Sequence, residues 1–154
     1  MLRDVEEADL PVFFTYQQDP ESVRMAAFTL ADPADHDAFT AYWARLLDDP
    51  GTVKRTIAFN GEVIGWVAVF DRGARRELTY WLARPYWGKG LATQALTEFL
   101  HEVTERPLYC RAATDNVAAL RVLEKLGFVV VAEESEFAGG RGERTEEVVL
   151  ELVR

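Results

Sequence analysis

Pro85-Tyr86-Trp87-Gly88-Lys89-Gly90-Leu91-Ala92-Thr93 is the stretch on which the reading of the fold turns. Upstream of it, Leu78, Tyr80 and Leu82 share one face of residues 77–83 while Glu77, Thr79 and Trp81 share the other, the period of a strand. Downstream, Leu91, Ala92, Ala95, Leu96, Phe99, Leu100 and Val103 form one apolar stripe of helical period. The two glycines therefore lie in a strand-to-helix turn. Glycine lets the backbone approach a ligand closely, and the first N–H groups of a helix have no partner within it. Such a turn can cradle a phosphate or pyrophosphate, although an ordinary connecting turn has the same composition.

Working outward, residues 56–59 and 63–70 read as strands joined by Asn60-Gly61, a pair that tolerates positive φ. Asp71-Arg72-Gly73 turns the chain into the third strand, so the middle is an antiparallel meander. Towards the N-terminus, residues 2–5 form a short strand, and Asp9 and Pro11 open a helix over 10–18 that Pro20 stops. Asp32-Pro33 signals another helix, with Asp32 as cap and Phe39, Tyr42, Trp43 and Leu46 at spacings of three and four. Beyond the central helix come a strand at 108–113, a helix from the cap Asn116 to Leu126 with Gly127 as its stop, and strands at 128–134 and 146–153. The Gly139-Gly140-Arg141-Gly142 loop between those last strands reads as flexible. The class is α+β, of the three-layer α/β type: a mixed, mostly antiparallel sheet with one parallel crossover, flanked by about four helices. A dinucleotide fingerprint fits poorly, because Thr93 stands at its third small position and the turn follows a hairpin instead of a βαβ unit.

Length and composition suit one globular domain over residues 1–154, since 49% hydrophobic and 28% charged residues exclude disorder and repeats. Seventeen Lys and Arg against 26 Asp and Glu give a net charge of -9, which opposes nucleic-acid binding and suits cationic partners such as amines. One cysteine, Cys110, and two histidines, His36 and His101, make no zinc-site spacing, so no metal is expected. Cys110 reads as a small core residue and the histidines as surface or capping residues. With no apolar span and no signal-peptide pattern, the expectation is a cytoplasmic protein with no membrane partner.

Three blocks in order carry a resemblance that covers nearly the whole chain: Glu77-Leu78-Thr79-Tyr80-Trp81-Leu82, then Trp87-Gly88-Lys89-Gly90-Leu91-Ala92, then Asn116 through Leu123-Glu124-Lys125-Leu126-Gly127-Phe128. Together they resemble the GNAT superfamily of acyl-CoA-dependent N-acyltransferases, in particular its RimJ/RimL-like branch. The resemblance implies two neighbouring parallel strands that splay apart, with the pantetheine arm of acetyl-CoA entering the wedge. It places Leu82, Ala83 and Arg84 against that arm, the turn from Trp87 through Gly88, Lys89, Gly90, Leu91 and Ala92 to Thr93 around the pyrophosphate, and Asn116 on the cofactor beyond the splay. Trp87 stands where the family usually has Gln or Arg. Glu77 matches a strand position where several members carry a general base, while a strand Glu paired to Arg75 or Arg76 is the structural alternative. The family's frequent Tyr and Ser proton donors are Leu123 and Ala119 here, and a second base position holds Arg111, which cannot accept a proton.

The resemblance thus implies acetyl transfer from acetyl-CoA to a primary amine, on a protein N-terminus or a small molecule, by direct attack on the thioester. The alternative is a non-catalytic acyl-CoA-binding or regulatory module, favoured by the missing Tyr and Ser and opposed by Glu77. A monomer or homodimer is compatible with either.

Overall fold

The computed structural model describes residues 1–30 and 32–154. Its strands are β1 (Leu2–Arg3), β2 (Val53–Phe59), β3 (Glu62–Arg72), β4 (Arg75–Leu82), β5 (Leu108–Ala113), β6 (Val129–Ala138) and β7 (Glu143–Leu152). The helices are α1 (Leu10–Tyr16), α2 (Pro20–Ala26), α3 (His36–Asp48), α4 (Leu91–Glu102) and α5 (Val117–Lys125). All strands join one sheet in the order β1-β2-β3-β4-β5-β7-β6, and only β4 and β5 run parallel. The expected α+β class holds. The β2–β3 turn has the predicted form, with Asn60 at φ 52° and Gly61 at φ 79°.

Five helices stand among the described residues, in keeping with the about four expected. Asp19-Pro20 opens α2 instead of only closing α1: the Asp19 side chain accepts the Ser22 N–H, and Pro20 occupies the first helical position, where a missing N–H has no cost. Helix α3 begins later than expected, because Asp35 and not Asp32 is its cap, accepting from Ala38 N at 3.0 Å. Asp32 instead closes the preceding turn by accepting from Ala34 N. The 139–142 turn, expected to be flexible, is tied down. Gly140 N donates to the Ala27 carbonyl at 2.7 Å, and Arg141 reaches both the Arg24 carbonyl and the Asp115 carboxylate.

The two faces of the sheet differ in chemistry. Leu78, Leu82, Leu108, Cys110, Leu150 and Leu152 pack with Leu96 and Phe99 of α4 and Leu123 of α5 in the main core. Strand alternation puts Glu77, Thr79 and Trp81 of β4, Arg111 and Ala113 of β5, and Glu147 of β7 on the opposite face. There Phe13, Phe39 and Trp43 of α1 and α3 pack with Trp66, and Ala27 at the end of α2 packs with Ala113 and Ala138. Among the described residues no helix is long and apolar enough to cross a membrane.

Candidate active site

The sheet opens between its two parallel strands. β3 and β4 share eight register pairs and β5 and β7 share six, but β4 and β5 share one, Glu77 with Tyr109. Beyond that pair the strands part towards Leu82 and Ala113. The Ala83 N–H is spent on the Ile64 carbonyl of β3 at 2.8 Å. By the alternation of an antiparallel ladder, the Leu82 N–H and carbonyl therefore face the opening. Of the Leu82 and Ala83 amides, only that of Leu82 is left available to a ligand in the opening.

The glycine turn stands at the mouth of this opening. Gly88 and Gly90 adopt φ 72° and 76°, the left-handed region that other residues enter only at a cost, and open space surrounds both. Gly90 is the N-cap of α4 and offers no side chain, and the first turn of the helix carries no acid. The first helical bond runs from Gln94 N to the Gly90 carbonyl at 3.1 Å, so the amides of Leu91, Ala92 and Thr93 precede it and lack helical partners. Helices α2, α3 and α5 are capped by Asp19, Asp35 and Asn116, whereas α4 presents an uncompensated positive end. Lys89 Nζ lies 5.9 Å over the Tyr86 ring, and the Tyr86 hydroxyl donates to Glu62.

Trp87 extends into the region expected for the pantetheine. Its Nε1 donates to the Leu82 carbonyl at 2.7 Å. Arg84, next along the chain, pairs with Asp19 at 3.1 Å and so ties the end of β4 to the start of α2. On the far side of the opening, Asn116 Oδ1 caps α5 by accepting from Ala119 N, while Nδ2 donates to the Met25 carbonyl. Helix α2 is thus held at both ends across the opening. Behind it, a small cleft lined by Gln17, Val23, Thr29, Leu30, Pro33 and Trp81 leaves the buried Trp81 Nε1 without a hydrogen-bond partner.

Glu77 is buried and paired, though not with Arg75 or Arg76. Arg111 Nε donates to its Oε1 at 3.0 Å, and Arg72 Nε lies 3.8 Å from Oε2. It sits four residues before Trp81, near the start of the opening. Arg111 continues the network, donating to Glu136 Oε2 at 2.6 Å and reaching Glu147 Oε2 at 3.5 Å, and Arg72 donates to Glu136 Oε1 at 2.9 Å. Glu147 is fully buried, and its Oε1 has no hydrogen-bond partner. Burial pushes its carboxyl up to about 7 against the pull of Arg111, and repulsion from Glu136, a hydrogen bond donated by the protonated carboxyl to Glu136 and repulsion from Glu134 add to the rise. Glu136 is itself desolvated, yet Arg72 and Arg111 hold it below the ordinary carboxylate range.

Sequence reasoning did not assign Glu134, Glu136 or Glu147 to the site. The signal present was the period-two spacing of Glu134 and Glu136, and a glutamate opening the apolar run from Val148 to Leu150. The other candidates settle simply. Cys110 is buried, and burial pushes its thiol up to about 12, beyond use as a nucleophile. Tyr80 packs against the main core, where burial also raises its hydroxyl. Leu123 is entirely buried, consistent with a packing role.

A mixed sheet that opens between two parallel strands, beside a glycine turn and an uncapped helix start, defines the class of acyl-CoA-dependent transferases. The acetyltransferase (GNAT) domain family matches residues 1–129, and the chain belongs to that family. Solved structures share the whole fold. A spermidine N-acetyltransferase from Vibrio cholerae, in complex with CoA and spermine, is 18% identical with a TM-score of 0.83, over 99% of this chain and 94% of that one. RimJ from Mycobacterium smegmatis, in complex with CoA-disulfide, is 18% identical with a TM-score of 0.81, over 99% and 80%. A ribosomal-protein-alanine N-acetyltransferase from Brucella melitensis is 20% identical with a TM-score of 0.76, over 100% and 99%. Comparison with curated protein sequences finds no match.

Proposed function

We propose that this acetyltransferase moves the acetyl group of acetyl-CoA to a primary amine, on a small molecule or a protein N-terminus, as a RimJ/RimL-like member of its family. The observation that carries the reading is that, among the described residues, the one parallel strand pair, β4 and β5, parts beside the start of α4, a 12-residue helix whose N-cap Gly90 offers no side chain. Acetyl-CoA supplies a thioester whose carbonyl carbon is open to an amine. The main-chain amides of Gly88, Lys89, Gly90, Leu91, Ala92 and Thr93 hold its pyrophosphate at the helix start. Leu82, Ala83 and Arg84 line the arm, with the Leu82 N–H directed at the opening where negative charge develops on the carbonyl oxygen. Trp87 covers the entry, and Asn116 borders the far side.

Glu77 enters this reading as a positioning residue. Its ion pairs hold Arg111, and through Arg111 the carboxylates beyond. The thiolate leaving group, with an ordinary thiol pKa of about 8.5, departs without a strong acid, so Leu123 and Ala119 in place of Tyr and Ser do not stop the reaction. The structural relatives support both acceptor types: one is a spermidine N-acetyltransferase and another acts on a ribosomal-protein alanine. The test is thiol release from acetyl-CoA with a panel of primary amines, beside calorimetric titration with CoA. Saturable release supports the reading. CoA binding with no release for any amine identifies the non-catalytic module instead, and absence of CoA binding overturns both.

A further inference from the structure

Among the described residues, two buried side-chain polar atoms lack a hydrogen-bond partner, Glu147 Oε1 and Trp81 Nε1. A carboxyl group answers burial by taking up a proton, whereas an indole N–H has one charge state and can only donate. Its unmet bond is a standing cost to the folded protein that a matching oxygen removes. Trp81 lines the cleft it shares with Gln17, Val23, Thr29, Leu30 and Pro33. The cleft has a volume of about 20 Å³, room for a single oxygen-sized group. The other side-chain donors of its lining are engaged, Gln17 Nε2 with the Pro33 carbonyl at 3.1 Å and Thr29 Oγ1 with the Leu30 carbonyl at 3.2 Å. None of these residues carries a charge.

The wall that faces Trp81 is held in place against strain. Ala27 has φ 61° and ψ -57°, and the Phe28 N–H donates to the Ala26 carbonyl at 2.6 Å. This is a γ-turn of the rare, strained hand, occupied by a residue other than glycine. It reverses the chain after α2 so that Thr29 and Leu30 reach the cleft. Gly140 N donates to the Ala27 carbonyl at 2.7 Å, and a Cβ on Gly140 would stand 2.5 Å from the Val23 carbonyl oxygen. Asn116 and Arg141 bind the Met25 and Arg24 carbonyls of the same turn of helix. Strain persists where contacts over-determine it in this way, and it recurs at ligand clamps.

The cleft also lies on the side from which an amine must come. Leu82 packs with Leu96, Phe99 and Leu123, so α4 and α5 close that face of the opening. Trp81 pairs with Trp66 of β3, which packs with α1 and α3 on the opposite face. Trp81 and Leu82 are consecutive, with Cα atoms about 3.8 Å apart. An amine that attacks a carbonyl held by the Leu82 N–H therefore arrives beside Trp81. In an amino amide the amine nitrogen and the carbonyl oxygen are roughly 3 Å apart, a span that suits two such neighbouring subsites. A carboxylate oxygen suits the cleft poorly, because its charge would be buried with no cation in the lining. A polyamine brings further donors and no oxygen to a donor already lacking an acceptor.

We propose that the cleft beside Trp81 is a specificity subsite in which the indole N–H donates to a neutral carbonyl oxygen of the acceptor, so that the protein selects amino amides over polyamines and free amino acids. The inference rests on the acetyl-transfer reading above and names the class of amine within it. Trp81 selects and orients the acceptor and takes no part in the bond changes. Its N–H is satisfied when an amino amide is bound and stays unpaired when a plain alkylamine takes its place. The discrimination thus arises from a protein group left without a partner, which is how a buried donor rejects a ligand that lacks the matching oxygen. The strained turn at Ala27 keeps the cleft formed before the acceptor arrives.

The test uses the full chain with glycinamide, n-propylamine and glycine as probes. NMR follows the assigned Trp81 indole N–H resonance of the CoA-bound protein as each probe is added. Glycinamide is expected to move that resonance downfield, as a new hydrogen bond does, while n-propylamine and glycine leave it in place. In thiol-release assays with acetyl-CoA, Trp81→Phe is expected to lower kcat/KM for glycinamide at least about tenfold more than for n-propylamine. Each acceptor is compared with itself across the two proteins, which cancels their difference in basicity. Equal losses for the two amines would show that Trp81 is structural and overturn the proposal. So would an indole resonance unmoved by glycinamide at concentrations that saturate turnover, the result expected if the cleft holds a water and no part of the acceptor. The NMR measurement on the unaltered protein decides the matter even if Trp81→Phe does not fold. Failure of the acetyl-transfer reading shows separately, as no thiol release from the unaltered protein with any amine.

Discussion

Arg111 Nε donates to Glu77 Oε1 at 3.0 Å, so the carboxylate of the strand that borders the opening is bound to a guanidinium that also serves Glu136 and Glu147. Glu77→Gln removes a negative charge that competes for Arg111. The freed guanidinium stabilises ionised Glu147 better, which lowers the pH at which Glu147 loses its proton. The expected outcome is a fall in kcat of about tenfold to a hundredfold from misplaced groups, with CoA affinity nearly unchanged. Rate profiles from pH 6 to 9 decide it. Loss of the acidic limb of kcat/KM, with a fall in rate nearer 10² to 10⁴, would make Glu77 itself the proton acceptor.

The glycine turn makes a second prediction about how the acyl donor is held. Gly90 has φ 76° with open space around it, so a Cβ there meets no clash but strains the backbone. Gly90→Val is expected to displace the amides of residues 91–93 and weaken CoA binding by at least tenfold. Lys89→Ala changes it by less than threefold, since Lys89 lies over the Tyr86 ring. Calorimetric titrations of both variants with CoA make the comparison. Equal losses would identify a side-chain charge site in place of a main-chain cradle.

Features set by local backbone demands were legible in the sequence, and features set by pairing register were not. Asn60-Gly61, the Gly88 and Gly90 turn and the Asn116 cap each follow from what two or three residues do to φ or to an unpaired N–H. Asp19-Pro20 carried the same signal as Asp32-Pro33, but a proline that ends one helix can also begin the next. The carboxylate set depends on which faces β6 and β7 present to each other. β6 slips register between Val130 and Ala132, and a one-residue slip exchanges the faces of everything beyond it. Only that pairing puts Glu134 opposite Glu147 and Glu136 within reach of Arg111. The glycine-rich 139–142 loop looked free because its anchors, Ala27, Arg24 and Asp115, are distant in sequence.

Trp87 gives a spectroscopic handle on the opening. Its indole N–H holds the Leu82 carbonyl at 2.7 Å, a group that the reading assigns to the pantetheine arm. CoA binding is therefore expected to change the fluorescence of Trp87, which is 38% exposed, as the indole gives up that bond. Trp87→Phe lacks the donor and should lose this signal while binding CoA two- to fivefold more tightly, because the carbonyl is no longer occupied. Dephospho-CoA and CoA should produce the same change. An unchanged emission on saturation with CoA would show that the arm passes without displacing Trp87.

The raised carboxyl of Glu147 also carries a stability prediction whose sign is fixed. Its folded value of about 7 lies above the ordinary 4.5, so the folded protein retains a proton that the unfolded chain has already released. Stability from this group is fully present below about pH 4.5 and is lost as pH rises towards 7, by up to roughly 3 kcal/mol. Asp9 and Asp115 act in the opposite sense and in a lower window. Asp9 is desolvated but held below its ordinary value by Arg3, the Glu6 N–H and Thr56, and Asp115 is lowered by Arg141, so each loses its contribution as pH falls below about 4. Glu147→Gln keeps the shape of the side chain and cannot ionise. Relative to the parent, the variant is therefore expected to gain stability between pH 5 and 7 and to level off towards pH 8, with the parent's decline flattened. Urea unfolding at pH 5, 6, 7 and 8 measures both curves. Parallel curves would mean that Glu147 ionises in the folded protein as it does in the unfolded chain.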